Sequence, residues 1–346
     1  MSYSGLILMN REKEKAETIN YPKVSIIILT FNGLEILKIS LPSVLKTKYP
    51  NFEIIVVDNG SSDGTVSYLS GMFPNVSVIS IYPNKGIDVP FNLAASSAHG
   101  PLLAFLNNDM EVDPNWLLPL VQAMDNDERV ACCDSKLVNY YKRDKIDAVG
   151  GFIDNYGNTV VRGTGEIDKS QFKIQEVFVG VSLFRKDLFM KVGGFDESFF
   201  AYFDETDLCW RLHRLGYKIL SVPESVIYHM GGYTISNGSS QKKSKSIVFH
   251  FHKNKLRMLI KNQFGVSLMF SVLVYLLDLC GAGFRMLLVG NQDYIPLLGK
   301  ALIWNLRNLR ETLQNRIKFK NDSADFKKLF LPYSGVWRAK GGVVFI

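Results

Sequence analysis

Residues 102–114 read LLAFLNNDMEVDP, an apolar run of strand length that ends in two amides and three carboxylates. Leu102 to Leu106 has the pattern of a strand buried on both faces, as in the centre of a parallel sheet. In an open α/β sheet, ligands bind beyond the carboxyl ends of such strands. Asn107, Asn108, Asp109, Glu111 and Asp113 gather oxygen donors there, a set suited to a metal ion or a phosphate–metal complex.

Working outward, the same plan recurs. VSIIILTFN from Val24, FEIIVVDNGSSDGT from Phe52 and VSVISIYPNKG from Val76 each run from apolar to polar. Helical segments such as Leu34 to Leu45 and Phe91 to Ser97 separate them. Strand–helix alternation predicts an α/β fold with a mostly parallel sheet, flanked by helices and joined by right-handed crossovers. Thr30, Asn32, Asp58, Asp63, Lys85 and Asp109 then converge on one cleft. From Val130 the chain turns Gly-rich, and KIDAVGGFIDNYGNTVVRGTG predicts an antiparallel excursion. A final strand is expected over Lys218 to Val222, and SNGSSQKKSKS (236–246) reads as a linker. The expected organisation is an extension over 1–21, a catalytic domain over 22–235 and a basic, helical region over 236–346.

The 346 residues are 47% hydrophobic and 21% charged, which excludes a disordered or fibrous chain. Cys132, Cys133, Cys209 and Cys280 have neither metal nor disulfide spacing, and the adjacent pair reads as buried core in a reducing compartment. The first residues, MSYSGLILMNREKEKAE, lack the long apolar region of a secretory signal, so a cytoplasmic protein is expected. The net charge of +7 is unevenly spread: 22 Lys and Arg meet 28 Asp and Glu up to Ser240, then 18 meet 5. The basic tail should face something acidic, and its apolar stretches favour anionic lipid over nucleic acid. Phe264 to Leu277 has no charge over 14 residues, short of the roughly 20 that a spanning helix needs. Leu302, Leu306, Leu309, Leu313 and Ile317 fall at helical spacing among arginines, predicting one basic amphipathic helix for a membrane interface. The alternative is a helix packed on the catalytic domain or on a partner.

Asp109 is the strongest single candidate, because a carboxylate directly after a buried strand is costly unless a cation meets it. Asn107 can add a carbonyl oxygen. Asp113 reads instead as the N-cap of a helix starting at Pro114. In FFAYFDETDLCWR, Asp204, Glu205 and Asp207 crowd a helix start, where the helix dipole alone favours acids. Capping does not explain the aromatic residues around the pair Asp204-Glu205; such walls can raise a carboxyl pKa towards the range of a general base. His229, in SVIYHMGG, reads as structural taken alone. With Asp109 nearby it becomes a metal ligand, and imidazole beside carboxylate suits Mn²⁺ as well as Mg²⁺.

VSIIILTFNG, IIVVDNGSSDGT, NKG, LLAFLNNDMEVDPNWL, VGGFDESFFAYFDETDLCWRLHRLGYKI and YHMGG, in this order, resemble glycosyltransferase family 2 of the GT-A fold, most closely its rhamnosyltransferase-like cell-envelope members. The resemblance covers about residues 22 to 262. It implies an inverting sugar transfer from a nucleotide diphosphate donor such as dTDP-rhamnose or a UDP-hexose, with Mn²⁺ or Mg²⁺. Thr30, Asn32 and Asp58 match positions that hold the nucleoside, with Asp63 and Lys85 in adjoining motifs. Asn107-Asn108-Asp109 matches the metal motif with Asp109 as ligand, and His229 matches a completing ligand. Asp204-Glu205 matches an acidic pair, usually Glu-Asp, whose second member is the base; Asp204 competes with Glu205 here. Asn92 is retained, while Asp88, Val89 and Pro90 replace a glycine-rich run and should reshape the donor-sugar pocket. Asn107 stands where many members have Asp, which removes one charge from the metal site.

The implied partners are a nucleotide sugar, a glycan or polyprenyl-linked acceptor and the inner face of the cell membrane, without nucleic acid; a second copy of the chain is a further option. Two other readings compete. A sugar nucleotidyltransferase would want a Gly-rich phosphate loop, which TFNGLEIL lacks. A non-catalytic subunit would have no use for Asp109, Glu205 and His229.

Overall fold

The computed structural model describes residues 21–231, 240–317 and 329–331. The expected extension over 1–21 therefore lies outside the described residues except for Tyr21.

The first half alternates as β1 (Val24–Thr30), α1 (Leu34–Leu45), β2 (Phe52–Asp58), α2 (Thr65–Met72), β3 (Ser77–Ser80), α3 (Asp88–Ser97) and β4 (Leu102–Asn107). These four strands are parallel, in the order β4-β1-β2-β3. Their apolar runs are β-branched because both faces are covered. Ile27, Leu29, Ile55, Val57, Leu103 and Phe105 pack on one side with Phe91 and Ala94 of α3. Ile26, Ile28, Ile54, Val56, Ala104 and Leu106 pack on the other with Leu37 and Leu41 of α1. Alternate residues thus feed two cores, as the two-residue strand period requires. Register pairs Thr30 with Asp58 and Leu29 with Asn107, so the polar strand ends share one edge.

The second half adds β5 (Met110–Val112), α4 (Leu117–Asp125), β6 (Val130–Asn139), β7 (Ile146–Ala148), β8 (Gly151–Asp154), β9 (Thr159–Val161), β10 (Gln175–Glu176), β11 (Leu183–Arg185), α5 (Lys186–Lys191), α6 (Asp204–Arg214) and β12 (Lys218–His229). The large sheet has the order β10-β12-β6-β11-β4-β1-β2-β3, with β5 on β12 and β7 on β6. β11 is antiparallel to both β4 and β6, the one reversal inside an otherwise parallel run from β6 to β3. β7 to β9 form the expected antiparallel excursion.

Three sequence expectations shift. The polar run after β4 is not all loop: β5 forms within it because β12 offers an edge, pairing His229 with Met110. β12 extends past Val222 to His229, absorbing Pro223 at a break in register between Val222 and Val226. α4 starts at Leu117, and Asp113 instead closes a tight turn by accepting a 2.8 Å bond from the Asn115 amide.

The C-terminal region comprises α7 (Ser240–Asn262), α8 (Gly265–Leu288), α9 (Ile295–Arg307), α10 (Leu309–Ile317) and a short β13 (Phe330–Leu331) beside β8. From Ser240 the expected linker is already helix, and its residues 236–239 lie outside the described residues. The single amphipathic helix expected over 302–317 is interrupted at Asn308, and falls in the end of α9 and in α10. Nor are all the basic charges of this region turned outward. Lys253, Lys255, Arg257 and Lys261 of α7 are buried. Arg257 and Lys261 both bond Asp196, and Lys261 reaches Asp207 of α6 at 2.8 Å. Burial raises the Asp196 carboxyl pKa, but Lys261 and Arg257 outweigh it and hold the group well below the usual range. Part of the basic tail is therefore answered by acids of the preceding domain. Cys132, Cys133 and Cys209 are free and buried, while Cys280 is exposed.

Candidate active site

The cleft is built at the shared carboxyl edge. After β1 the chain turns sharply: Asn32 takes a left-handed conformation, φ 46°. Its amide donates to Ser61 Oγ at 2.8 Å and its Oδ1 accepts from the Ser62 amide at 2.8 Å, so the loops after β1 and β2 lock together. Asp63 reinforces this, accepting from the Leu34 amide at 2.9 Å and from Thr65 Oγ1 at 2.6 Å. Burial raises its pKa, but the Thr65 hydroxyl and the surrounding amides outweigh that and lower it. Asp58 is buried; one oxygen accepts from the Ser61 amide at 3.1 Å, and Oδ1 has no hydrogen-bond partner. Thr30 Oγ1 accepts from Asn108 Nδ2 at 3.0 Å. Gly33 makes that contact feasible, since a Cβ there would lie 2.0 Å from Asn108 Nδ2.

The loop between β3 and α3 is organised by Asn59, which the sequence alone does not single out. Its amide donates to Gly86 O at 2.7 Å and its Oδ1 accepts from the Lys85 amide at 2.9 Å. Lys85 itself is exposed. Asn92 exchanges bonds with the Phe195 backbone, 2.9 Å each way, and so braces the turn before α6.

Asp109 and His229 meet directly. β5 and β12 run antiparallel, the Met230 amide donates to Asp109 O at 2.9 Å, and His229 Nε2 lies 3.5 Å from Asp109 Oδ2. The other ring nitrogen, Nδ1, faces Asp147 Oδ2 at 3.2 Å. Burial disfavours the charged imidazole, but Asp109 and Asp147 prevail and push its pKa up to about 9. Asp109 Oδ1 is buried without a partner. Asp147 on β7 was missed, because its only sequence signal is an acid in a three-residue strand. Asn107 ends β4 opposite Leu29, beside this group.

Asp204 and Glu205 form a second cluster at the start of α6. Phe200, Tyr202 and Phe203 hold positive φ angles of 73°, 71° and 63°, strain of the kind that collects at functional turns. The Ile87 amide donates to Phe200 O at 2.8 Å, which ties this turn to the loop between β3 and α3. Asp204 is buried, and desolvation, reinforced by Asp207, raises its carboxyl pKa. Glu205 is open to solvent on one side; crowding by protein, then the charges of Asp204 and Asp134, raises it too, and the water it meets screens part of that shift. Asp88 is fully buried with both oxygens unpartnered, and burial and Asp204 raise it strongly.

The donor set, an imidazole beside a carboxylate with one orphaned buried oxygen, fits a hard divalent cation. Among the described residues no three His, Cys, Asp or Glu side chains form a cage by themselves. Two protein ligands with open positions suit an ion that is completed by a ligand's phosphates.

Fold and cleft together define a class: α/β proteins that hold a ligand across the carboxyl edge of a mainly parallel sheet. Residues 25–193 match the family described as glycosyl transferase family 2, and this part of the chain belongs to that family. The chain is 30% identical over 224 residues to the uncharacterized protein y4gI of Sinorhizobium fredii, covering 60% of this chain and 24% of that one. It is 27% identical over 237 residues to the O-antigen biosynthesis protein RfbC of Myxococcus xanthus, covering 60% and 17%. The chain thus spans a quarter or less of the length of these two relatives. The mannosyltransferase PcManGT from Pyrobaculum calidifontis, solved with GDP-Man and Mn²⁺, superposes with a TM-score of 0.51 at 16% identity over 87% of this chain and 82% of that one. The fold is of the GT-A type.

Proposed function

We propose that the protein is an inverting, metal-dependent glycosyltransferase. It moves a hexosyl or deoxyhexosyl group from a nucleotide diphosphate sugar, dTDP-rhamnose or a UDP-hexose, to a glycan or polyprenyl-linked acceptor in cell-envelope polysaccharide synthesis. The observation that carries this reading is the Asp109–His229–Asp147 array at the sheet edge of a family 2 domain. The cell-envelope context draws on the O-antigen name of one relative.

In this reading Thr30, Asn32, Asp58, Asp63 and Lys85 bind the nucleotide, with Asn107, Asn108 and Asn92 shaping the donor pocket. Asp109 and His229 hold Mn²⁺ or Mg²⁺. Bound there, the cation offsets the charge of the departing nucleoside diphosphate. Glu205 takes the proton of the acceptor hydroxyl as that oxygen attacks the anomeric carbon from the face opposite the leaving group. One displacement inverts the configuration. Asp204, the other candidate base, sets the charge beside it.

The reaction takes place at the inner membrane surface. α8, 24 residues long, is long and apolar enough to cross a membrane by length and composition, and little of it is buried. Val266, Met269, Leu273, Leu277 and Leu288 are exposed along one side, whereas Ser271, Tyr275, Leu279 and Met286 are buried on the other. A helix bound to protein along one flank suits lying in the interface better than spanning it alone.

The test is to incubate purified full chain with a panel of nucleotide sugars and Mn²⁺ and analyse the nucleotide product. Nucleoside diphosphate, abolished in Glu205→Gln or in Asp204→Asn, is the expected result. Pyrophosphate from a sugar phosphate and a nucleoside triphosphate would assign a nucleotidyltransferase instead.

A further inference from the structure

The turn that carries the acidic pair has an unusual support. Three residues other than glycine, Phe200, Tyr202 and Phe203, sit in the left-handed region, where L side chains clash with the backbone. Such a turn persists only where its surroundings over-determine it. Its carbonyls point away from any strand or helix ladder and into α7. There Nδ2 of the fully buried Asn254 lies 2.6 Å from Ala201 O, 2.9 Å from Tyr202 O and 3.0 Å from Phe199 O, its two hydrogens shared among the three carbonyls. Lys253 bonds Ser198 O, and the His250 ring stacks on Phe200 at 4.8 Å. From the far side of the turn, the Phe200 carbonyl receives the Ile87 amide of the β3–α3 loop.

One amide from the C-terminal region thus meets three carbonyls, of Phe199, Ala201 and Tyr202, in the turn between the β3–α3 loop and the acidic pair. Resting on the function proposed above, we propose that Asn254 is a positioning residue for sugar transfer: its side-chain amide holds the 199–203 turn, which aims the start of α6 at the cleft and latches the β3–α3 loop through Ile87 and Phe200. Without those bonds the turn relaxes towards extended or right-handed backbone. The acidic pair then moves relative to the donor, while the nucleotide-binding loops after β1 and β2, built from Asn32, Ser61 and Asp63, are untouched. The signature is a loss in turnover with little change in donor KM.

Asn254→Ala deletes the donor, and Asn254→Asp keeps the shape while facing carbonyl oxygens with carboxylate oxygens. Asn305→Ala is the control. Asn305 is equally buried and bonds Lys253 O and Ala301 O at 2.9 Å, so it pins the same helix without touching the turn. The readouts, on the full chain, are kcat and KM for nucleoside diphosphate release from the panel sugar that the wild type uses, and hydrogen exchange of the amides over 199–206 and at Ile87. Displacement by about 1 Å typically costs on the order of a hundredfold in rate. Both Asn254 variants should therefore lose about that much in kcat, keep donor KM within about threefold, and exchange faster at those amides alone. Asn305→Ala should keep kcat even where it lowers stability as much. Wild-type kcat in the Asn254 variants, or equal losses in Asn305→Ala, would overturn the proposal. A wild type silent on the whole panel would sink the functional reading; unchanged exchange over 199–206 in Asn254→Ala would separately sink the latch.

Discussion

Asp147 shows how a residue with no motif of its own can govern a site. It faces His229 Nδ1 at 3.2 Å while Asp109 faces Nε2, so the imidazole is oriented from behind. Carboxylates that orient a ligating histidine commonly contribute 10- to 100-fold in metal affinity. Asp147→Asn should therefore raise the Mn²⁺ concentration for half-activation by roughly that factor, with turnover at saturating Mn²⁺ near wild type; a metal titration of activity would read it, and an unmoved midpoint would remove Asp147 from the site. At this scale the sequence was legible in placement, where polar residues follow a strand directly, as at Asp58 and Asp109. It was opaque where a residue's meaning depends on a distant partner. Asn59 organises the loop between β3 and α3 through bonds to residues 25 to 27 positions away, and no spacing rule announces that.

Elements explain most of what was readable and most of what shifted. β1, β2 and β4 stood out because burial on both faces demands unbroken β-branched and apolar runs. β5 did not, since three residues form a strand only if a neighbour supplies an edge, and that neighbour, β12, lies over a hundred residues downstream. The opposite edge of the sheet offers a test free of catalysis. Glu53 on β2 accepts from Ser25 Oγ and from the His99 amide at 2.7 Å, and pairs with Lys23 at 3.1 Å. Burial works to raise its pKa, but the Ser25, His99 and Lys23 contacts prevail and lower it from 4.5 to about 2. A depressed carboxyl stabilises the fold above its unfolded value and stops doing so as pH falls through its folded one. Stability should thus decline between pH 4.5 and about 2. Glu53→Gln should cost about 1–3 kcal/mol at neutral pH and flatten that decline. Urea unfolding at several pH values checks both, and a variant with the same pH slope as wild type would refute the assignment.

For the whole molecule, the charge asymmetry along the sequence sets an acidic part against a basic one, but does not show that charges of the two pair. Arg257 and Lys261 spend their charge on Asp196 and Asp207, and what α8 turns outward is apolar rather than basic: Met269 is 71% exposed and Leu273 53%. This exposed apolar face is the membrane contact we propose. Met269→Asp with Leu273→Asp should abolish co-flotation with vesicles containing anionic lipid while leaving nucleoside diphosphate release in solution intact; undiminished flotation would show that α8 is not the contact. The central claim is narrower: Asp109 and His229 hold the ion that meets the donor's diphosphate. Anomalous diffraction from crystals grown with Mn²⁺ and UDP or dTDP tests it most directly. The account predicts one strong manganese peak between the Asp109 carboxylate and His229 Nε2, in contact with the nucleotide's phosphates. A nucleotide bound with its manganese away from both side chains would contradict it.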